Sequence, residues 1–211
     1  MELYSYFRSS ASWRVRIALA LKGLAYDYLP IHLVKKEQSS PEYLDKSGTG
    51  LVPLLVLDDG RRLHQSMAII EYLDETVPEP PLLPRDALGR ARVRALAQDI
   101  ACEIHPLNNT RVLGHLSGTL GVSDDARTAW IHRWIEVGLA VVERQLAERP
   151  STFCHGETPG LADCALVPQI FNAQRFRCAL SHVPHVMRVH AACMAHPAFS
   201  STQPSACPDA E

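Results

Sequence analysis

Four groups of residues in this 211-residue chain have types and spacings that suit chemistry. The first is Arg8-Ser9-Ser10, which follows a short strand-like run (residues 2–7) and opens the helical run Trp13-Arg14-Val15-Arg16. A helix start carries unpaired backbone N–H groups and partial positive charge, so it favours an anion: a carboxylate, a phosphate or a thiolate. A hydroxyl added there stabilises the charged form of a thiol. None of the chain's own cysteines lies in that run, so the thiol would belong to a bound cofactor. Serine ahead of an apolar run also serves as a plain helix cap, and the residues alone leave both uses open.

The second group is Val52-Pro53 with Gln65-Ser66. Proline cannot donate to a strand ladder, so Pro53 belongs at a strand start or an edge, where a cis bond after Val52 would turn backbone groups towards an extended, peptide-like ligand. Ser66 reads as the N-cap of the next helix, a second place suited to a carboxylate. The third group, His105-Pro106-Leu107-Asn108-Asn109-Thr110-Arg111, interrupts an apolar helical pattern. On one continuous helix His105, Asn108, Asn109 and Arg111 would spread over roughly 160°, a single broad face beside a proline kink. The fourth is Arg175 with Arg177 at the end of a later helix. Cations there pair with the helix dipole, and arginine is also the preferred bidentate binder of carboxylates, so with Arg8 and Arg111 they suit a dianionic substrate.

The elements that must position these groups follow from periodicity and turn residues. Residues 2–7 predict a strand, Val15 to Leu21 a helix stopped by Gly23, and residues 25–33 a second strand. A short helix is expected at residues 41–45, then a hairpin of strands 51–57 and 61–64 around Asp59-Gly60. The spacing of Ile69, Ile70, Leu73 and Val77 predicts a helix that Pro78 ends. This is a small mixed α/β domain, residues 1–80, followed by a proline-rich connector.

Residues 86–211 read as all-helical. Leu96, Ile100, Ile104 and Leu107 form one apolar stripe. Residues 123–149 predict a long helix with Trp130, Trp134, Val137 and Val141 in the core. Gly160-Leu161-Ala162-Asp163 starts a helix, residues 161–176, with Pro168 inside it and Asp163 reaching back to the first N–H. A last helix covers residues 184–195, and the Ser/Pro/Ala-rich stretch beyond Pro197 is expected to fray.

Composition narrows the class. With 46% apolar and 21% charged residues the chain is a folded globular protein, and its net charge of −2 gives no reason to expect nucleic acid or a membrane surface as partner. The six cysteines contain no C-x-x-C pair, which argues against zinc and against a dithiol centre. Reduced thiols in a cytoplasmic protein are expected.

Taken together, these stretches resemble zeta-class glutathione transferases, the maleylacetoacetate isomerases. The likeness rests on Tyr4-Ser5-Tyr6-Phe7-Arg8, the run Ser9-Ser10-Ala11-Ser12-Trp13-Arg14-Val15-Arg16-Ile17-Ala18-Leu19, Leu51-Val52-Pro53, and His64-Gln65-Ser66 before Ala68-Ile69-Ile70-Glu71-Tyr72-Leu73. Leu82-Leu83-Pro84, Ala162-Asp163, Leu166-Val167-Pro168-Gln169 and Arg175-Phe176 extend it over nearly the whole chain.

The resemblance implies a thioredoxin-like N-terminal domain, an all-helical C-terminal domain and a homodimer, with glutathione as cofactor in the first domain. It implies that Ser9 activates the glutathione thiol with Ser10 nearby, that Val52 beside a cis Pro53 pairs with the cysteinyl part, and that Gln65 and Ser66 hold the γ-glutamyl end. His105, Asn109, Arg111 and Arg175 resemble the set that, in bacterial maleylpyruvate and maleylacetoacetate isomerases, lies over the glutathione sulfur and faces substrate carboxylates. Asp99 would reach a glutathione bound to the other subunit.

The implied reaction is cis–trans isomerisation of a small dicarboxylate keto acid, maleylacetoacetate or maleylpyruvate. Dehalogenation of small α-halo acids and conjugation are the alternatives, and a non-catalytic binding module is a reading from another class. Ala11 stands where many relatives have cysteine, and Ser47-Gly48-Thr49-Gly50 departs from the usual loop before Leu51. Gly160 replaces a capping hydroxyl residue.

Overall fold

The chain opens with strand β1 (Glu2–Ser5), whose Leu3 and Tyr4 face the core, and turns directly into helix α1 (Ser10–Leu21). Gly23 ends that helix in the left-handed conformation that glycine adopts without strain (φ +65°). Leu24 N–H then donates to Leu19 C=O (2.9 Å) and Gly23 N–H to Ala20 C=O (3.2 Å), the paired bonds of a Schellman stop. Strand β2 (Asp27–Pro30) returns parallel to β1. Helix α2 (Pro41–Ser47) precedes the hairpin of β3 (Leu54–Val56) and β4 (Arg62–His64), and helix α3 (Ser66–Thr76) follows. The sheet order is β2-β1-β3-β4, with β3 antiparallel to both its neighbours. This is the βαβ unit and hairpin that the patterning predicted, in the thioredoxin-like arrangement that the resemblance implied.

The strands are shorter than their apolar runs. The Val52-Pro53 bond is cis, as is Glu79-Pro80, and β3 starts only at Leu54. Lys22, fully buried at its ammonium end, ties α1 to the connector by donating to Asp74 Oδ1 (2.6 Å), Val77 C=O (2.7 Å) and Pro80 C=O (2.6 Å).

The computed structural model describes residues 1–211, which divide into two compact units: Met1–Leu82 with Ala195–Glu211, and Leu83–Met194. The linear reading put all of residues 86–211 in one helical domain, whereas Ala195–Glu211 clusters with the sheet-bearing unit. Nor does that stretch fray. It forms helix α9 (Pro197–Ser200) and a 3-10 turn (Pro204–Ala206), and Phe199 and Cys207 are buried. Small and proline residues looked uncommitted because their contacts are with α1 and the Tyr6-Phe7 turn, almost the full length of the chain away.

The second unit is helical: α4 (Ala87–Gln98), α5 (Thr110–Gly118), α6 (Asp124–Glu148), α7 (Leu161–Arg175) and α8 (Pro184–Ala195, whose last residue falls in the first unit). Two expectations fail here. The helix after Asp86 does not run on through Arg111. It passes into a π-helical turn (Asp99–Ile104), a 3-10 turn (His105–Asn108) and an extended Asn109 before α5 begins. Pro106 lacks an N–H, and Asn108 Nδ2 donates to Ile104 C=O (3.1 Å), so side chains replace part of the helical ladder.

The core stripe of α6 is also displaced by one position. Ile131, Ile135, Leu139, Val142 and Leu146 are buried, while Trp130 and Trp134 are half-buried and Val137 is 40% exposed. Both rows have helical spacing, and periodicity fixes the spacing of a stripe but not its phase. Trp130 stays part-way out because its indole N–H donates to Leu107 C=O (2.8 Å).

At the start of α7, Asp163 accepts from Gly160 N–H (2.8 Å) and Cys154 N–H (2.9 Å), the reach-back cap that the sequence predicted without a hydroxyl at 160. Burial pushes the Asp163 carboxyl up, against the pull of those two N–H donors.

Candidate functional site

In the first unit the candidate residues collect at the starts of α1 and α3. Ser9 is the N-cap of α1, in extended conformation (φ −72°, ψ 114°), and its Oγ accepts from Ser12 N–H at 3.2 Å. Ser9 N–H in turn donates to Tyr6 C=O (2.9 Å), which closes residues 6–9 into a tight turn. Ser9 is half-buried, so its hydroxyl hydrogen remains available to an incoming anion beside the helix dipole. Ser10 is the first helical residue and is 8% exposed. Arg8 lies across Phe7 (4.9 Å to the ring centroid) and donates to Tyr6 Oη (2.8 Å).

The start of α3 differs from the expectation. Ser66 is the first helical residue, not the cap, and the cap position belongs to Gln65. Gln65 has φ +70°, a conformation that a non-glycine residue holds only against strain and that recurs at ligand-binding sites. No side chain caps this helix, so its first N–H groups are left for a bound group. Ser66 is 5% exposed and its Oγ accepts from Arg14 Nη1 at 3.3 Å. Arg14, 2% exposed, thus places a buried positive charge beneath an uncapped helix start. Sequence reasoning missed it because an arginine inside an apolar helix reads as solvated. Val52 lies just ahead of β3, half-buried against Tyr4 and Leu54 on one side and Tyr6 and Phe7 on the other.

Burial disfavours the thiolate at several of the protein's own cysteines. Burial pushes Cys154 and Cys193 well up, and Cys178 up to about 11. No group of three or more His, Cys, Asp or Glu side chains is arranged to hold a metal ion, and no helix is long and apolar enough to cross a membrane.

In the second unit the polar set does not share one helix face. His105 is half-buried in the 3-10 turn, Asn109 caps α5, and Arg111 is exposed on its first turn. Asn109 Oδ1 accepts from both Arg111 N–H (3.0 Å) and Val112 N–H (3.1 Å), so its oxygen is committed and its amide N–H groups are what it can offer a ligand. Arg175 ends α7 with its guanidinium 4.6 Å from the centroid of the Phe176 ring. Phe176 C=O pairs with His132 Nε2 (2.7 Å). Arg177 has a left-handed backbone (φ +57°) and is exposed.

A cavity of about 270 Å³ joins the start of α5 to the end of α7. Thr110, Leu113 and Ser117 line one wall, Arg127 and Ile131 of α6 another, and Phe176 closes it. Arg111 and Arg175 therefore each neighbour a residue of the same cavity lining, Thr110 and Phe176. Asp99 accepts from Gln145 Nε2 (2.6 Å) within its own unit.

Comparison with known proteins agrees with this geometry. Residues 3–81 match the model of the glutathione S-transferase N-terminal domain. A maleylacetoacetate isomerase of Pseudomonas aeruginosa is 46% identical over 99% of this chain and 98% of that protein. The holo structure of a maleylpyruvate isomerase, a bacterial zeta-class glutathione S-transferase, superposes with a TM-score of 0.97 at 45% identity, covering 100% of both chains. A maleylacetoacetate isomerase from Anaeromyxobacter dehalogenans, with dicarboxyethyl glutathione and citrate in its active site, gives a TM-score of 0.89 at 44% identity over 100% of this chain and 97% of that one. With its thioredoxin-like unit, its serine-capped first helix and this full-length likeness, the chain belongs to the zeta class of the glutathione S-transferase family.

Proposed function

We propose that this protein is a glutathione-dependent isomerase that converts maleylacetoacetate to fumarylacetoacetate. The observation that carries the reading is the N-terminus of α1, where the half-buried Ser9 hydroxyl stands at the cap of a helix in a thioredoxin-like unit. The residues present fit glutathione. The uncapped start of α3, with Ser66 above the buried Arg14, suits the γ-glutamyl carboxylate, and Gln65 presents its backbone beside it. Val52, next to the cis Pro53, serves the cysteinyl part of the tripeptide.

When bound, glutathione would supply a nucleophilic thiolate for reversible addition to the cis double bond, and would be regenerated. Ser9 donates its hydroxyl hydrogen to the sulfur and keeps it ionised, with Ser10 adding to the polarity of that helix start. Arg8 in the first unit, and Arg111 and Arg175 in the second, are guanidinium groups of the kind suited to a substrate's carboxylates and to negative charge developing on a conjugated carbonyl oxygen. In the second unit, His105 and the Asn109 amide are polar groups suited to a cofactor or to water near it. A homodimer in the cytoplasm completes the reading, and family habit supports the dimer.

The test is the rate of cis-to-trans conversion of maleylacetoacetate with and without glutathione. Strict dependence is expected, and equal rates refute the proposal. The likeness to a maleylpyruvate isomerase structure favours maleylpyruvate as the second substrate to assay. A higher kcat/KM on it moves the assignment to that reaction.

A further inference from the structure

Residues 6–9, the turn that carries Ser9, are held from outside by a segment that the reaction does not otherwise use. Arg16, 1% exposed, donates from Nη1 to Tyr6 C=O (3.4 Å) and Ser5 Oγ (3.0 Å) and from Nη2 to Phe7 C=O (3.0 Å). Its Nε donates to Thr202 C=O (3.1 Å), and Thr202 Oγ1 accepts from the Trp13 indole N–H (3.1 Å) on the first turn of α1. Cys207 is buried against Tyr6 and Phe7. One backbone donor of the turn, Phe7 N–H, goes to Asp209 Oδ2 (3.1 Å), while Asp209 Oδ1 accepts from Tyr28 Oη (2.6 Å) on β2.

Phe7 is only two residues before Ser9, and a peptide plane cannot rotate without moving its neighbours. Its carbonyl is fixed by Arg16 and its N–H by Asp209. Release of either lets the turn relax and shifts the Ser9 Oγ relative to the α1 N–H groups. Hydrogen bonding to a charged group falls off steeply with misplacement.

We propose that Asp209 is a positioning residue for thiolate activation: by fixing Phe7 N–H against Tyr28 it holds the Ser9 hydroxyl where a bound thiol meets it. This rests on the glutathione reading above. The segment from Pro197 onward is then part of the cofactor unit's machinery, acting through the loop and touching no substrate.

The experiment is an ultraviolet titration of the glutathione thiolate bound to the full chain, with thermal unfolding recorded in parallel. Wild type is expected to hold the thiol pKa well below that of free glutathione. Asp209→Ala should raise the bound pKa by about one unit, a tenfold loss of thiolate at a fixed pH. Glutathione affinity should fall by a smaller factor, since α3 is untouched. Asp209→Asn retains a carbonyl oxygen for Phe7 N–H and should titrate like wild type. Tyr28→Phe, which frees Asp209 to rotate, should shift the pKa in the same direction by less. If Asp209→Ala does not fold, the Tyr28→Phe titration decides: an unchanged pKa there overturns the proposal. An unchanged bound pKa in folded Asp209→Ala, or an Asn variant as impaired as Ala, overturns it too. A wild-type thiol that titrates like free glutathione would instead remove the glutathione reading itself, and this proposal with it.

Discussion

Gly138 occupies the middle of α6, where glycine costs a helix about 1 kcal/mol relative to alanine. A Cβ at 138 would stand 2.2 Å from Ile104 Cγ1 and 2.4 Å from Cδ1, far inside van der Waals contact. Ile104 is fully buried and closes the π-helical turn that hands the chain to His105. The glycine therefore lets α6 pass close to the segment where α4 gives way to π-helical and 3-10 turns. A Cβ added at Gly114, within α5, would meet nothing within 4 Å.

Alanine at either site gains the same helix propensity, so the two variants should differ by the overpacking term alone, about 1–3 kcal/mol. Gly114→Ala should stabilise by about 0.5–1 kcal/mol. Gly138→Ala should end neutral to about 2.5 kcal/mol destabilised, the propensity gain being offset by the clash. Urea unfolding followed by tryptophan fluorescence suits the question, because Trp130 and Trp134 lie on α6 itself with ring centroids 5.6 Å apart. Equal stability changes in the two variants would refute the close-approach argument. Gly138→Ala should also lower turnover, since Ile104 directly precedes His105 and its C=O accepts from Asn108 Nδ2.

Removing the buried cation under α3 should weaken the cofactor: Arg14→Met is expected to raise the glutathione Kd about tenfold or more, the range of a charge-assisted hydrogen bond, and to leave an analogue lacking the γ-glutamyl carboxylate unaffected. Calorimetric titration of both ligands checks this. Glu143 is pushed up by burial, but the N–H groups of Val186 and His185 and the His185 imidazole outweigh that and leave its carboxyl below the ordinary value of 4.5. A depressed carboxyl stabilises the fold above its unfolded pKa, and that contribution is lost as pH falls below 4.5 through the folded value. Glu143→Gln should therefore flatten the acid side of the stability profile measured by urea unfolding. Among the free thiols only Cys102 is exposed, and alkylation of the native protein followed by peptide mass analysis should find it modified ahead of the buried Cys164 and Cys193.

Much of the sheet-bearing unit was readable because its signals are local. Gly23 stops α1, Asp59-Gly60 turns the hairpin, and Pro53 excludes itself from the ladder, each through its own backbone preferences. Ser123 likewise marked the start of α6, where its Oγ accepts from Ala126 N–H (3.3 Å). What escaped depends on partners distant in sequence. Asp209 near one end of the chain meets Phe7 near the other. The π-helical and 3-10 turns around His105 show in the sequence only as a proline among polar residues, which predicts a break but not that Asn109 restarts a helix. Ser66 looked like a cap because serine usually is one. In the fold the strained Gln65 takes that position, and Ser66 is turned inward onto Arg14.

The central claim, that the Ser9 hydroxyl keeps a borrowed thiol ionised, is tested most directly by turnover of maleylacetoacetate at saturating glutathione in Ser9→Ala. That change also removes a cap worth about 1 kcal/mol, so Ser123→Ala, which removes the equivalent cap from α6, serves as the control. Both variants should lose similar stability. Ser9→Ala should lose about tenfold to a hundredfold in turnover, the rate equivalent of a hydrogen bond to a charged group, and Ser123→Ala almost none. Equal turnover in the two would contradict the account and return Ser9 to the role of an ordinary cap.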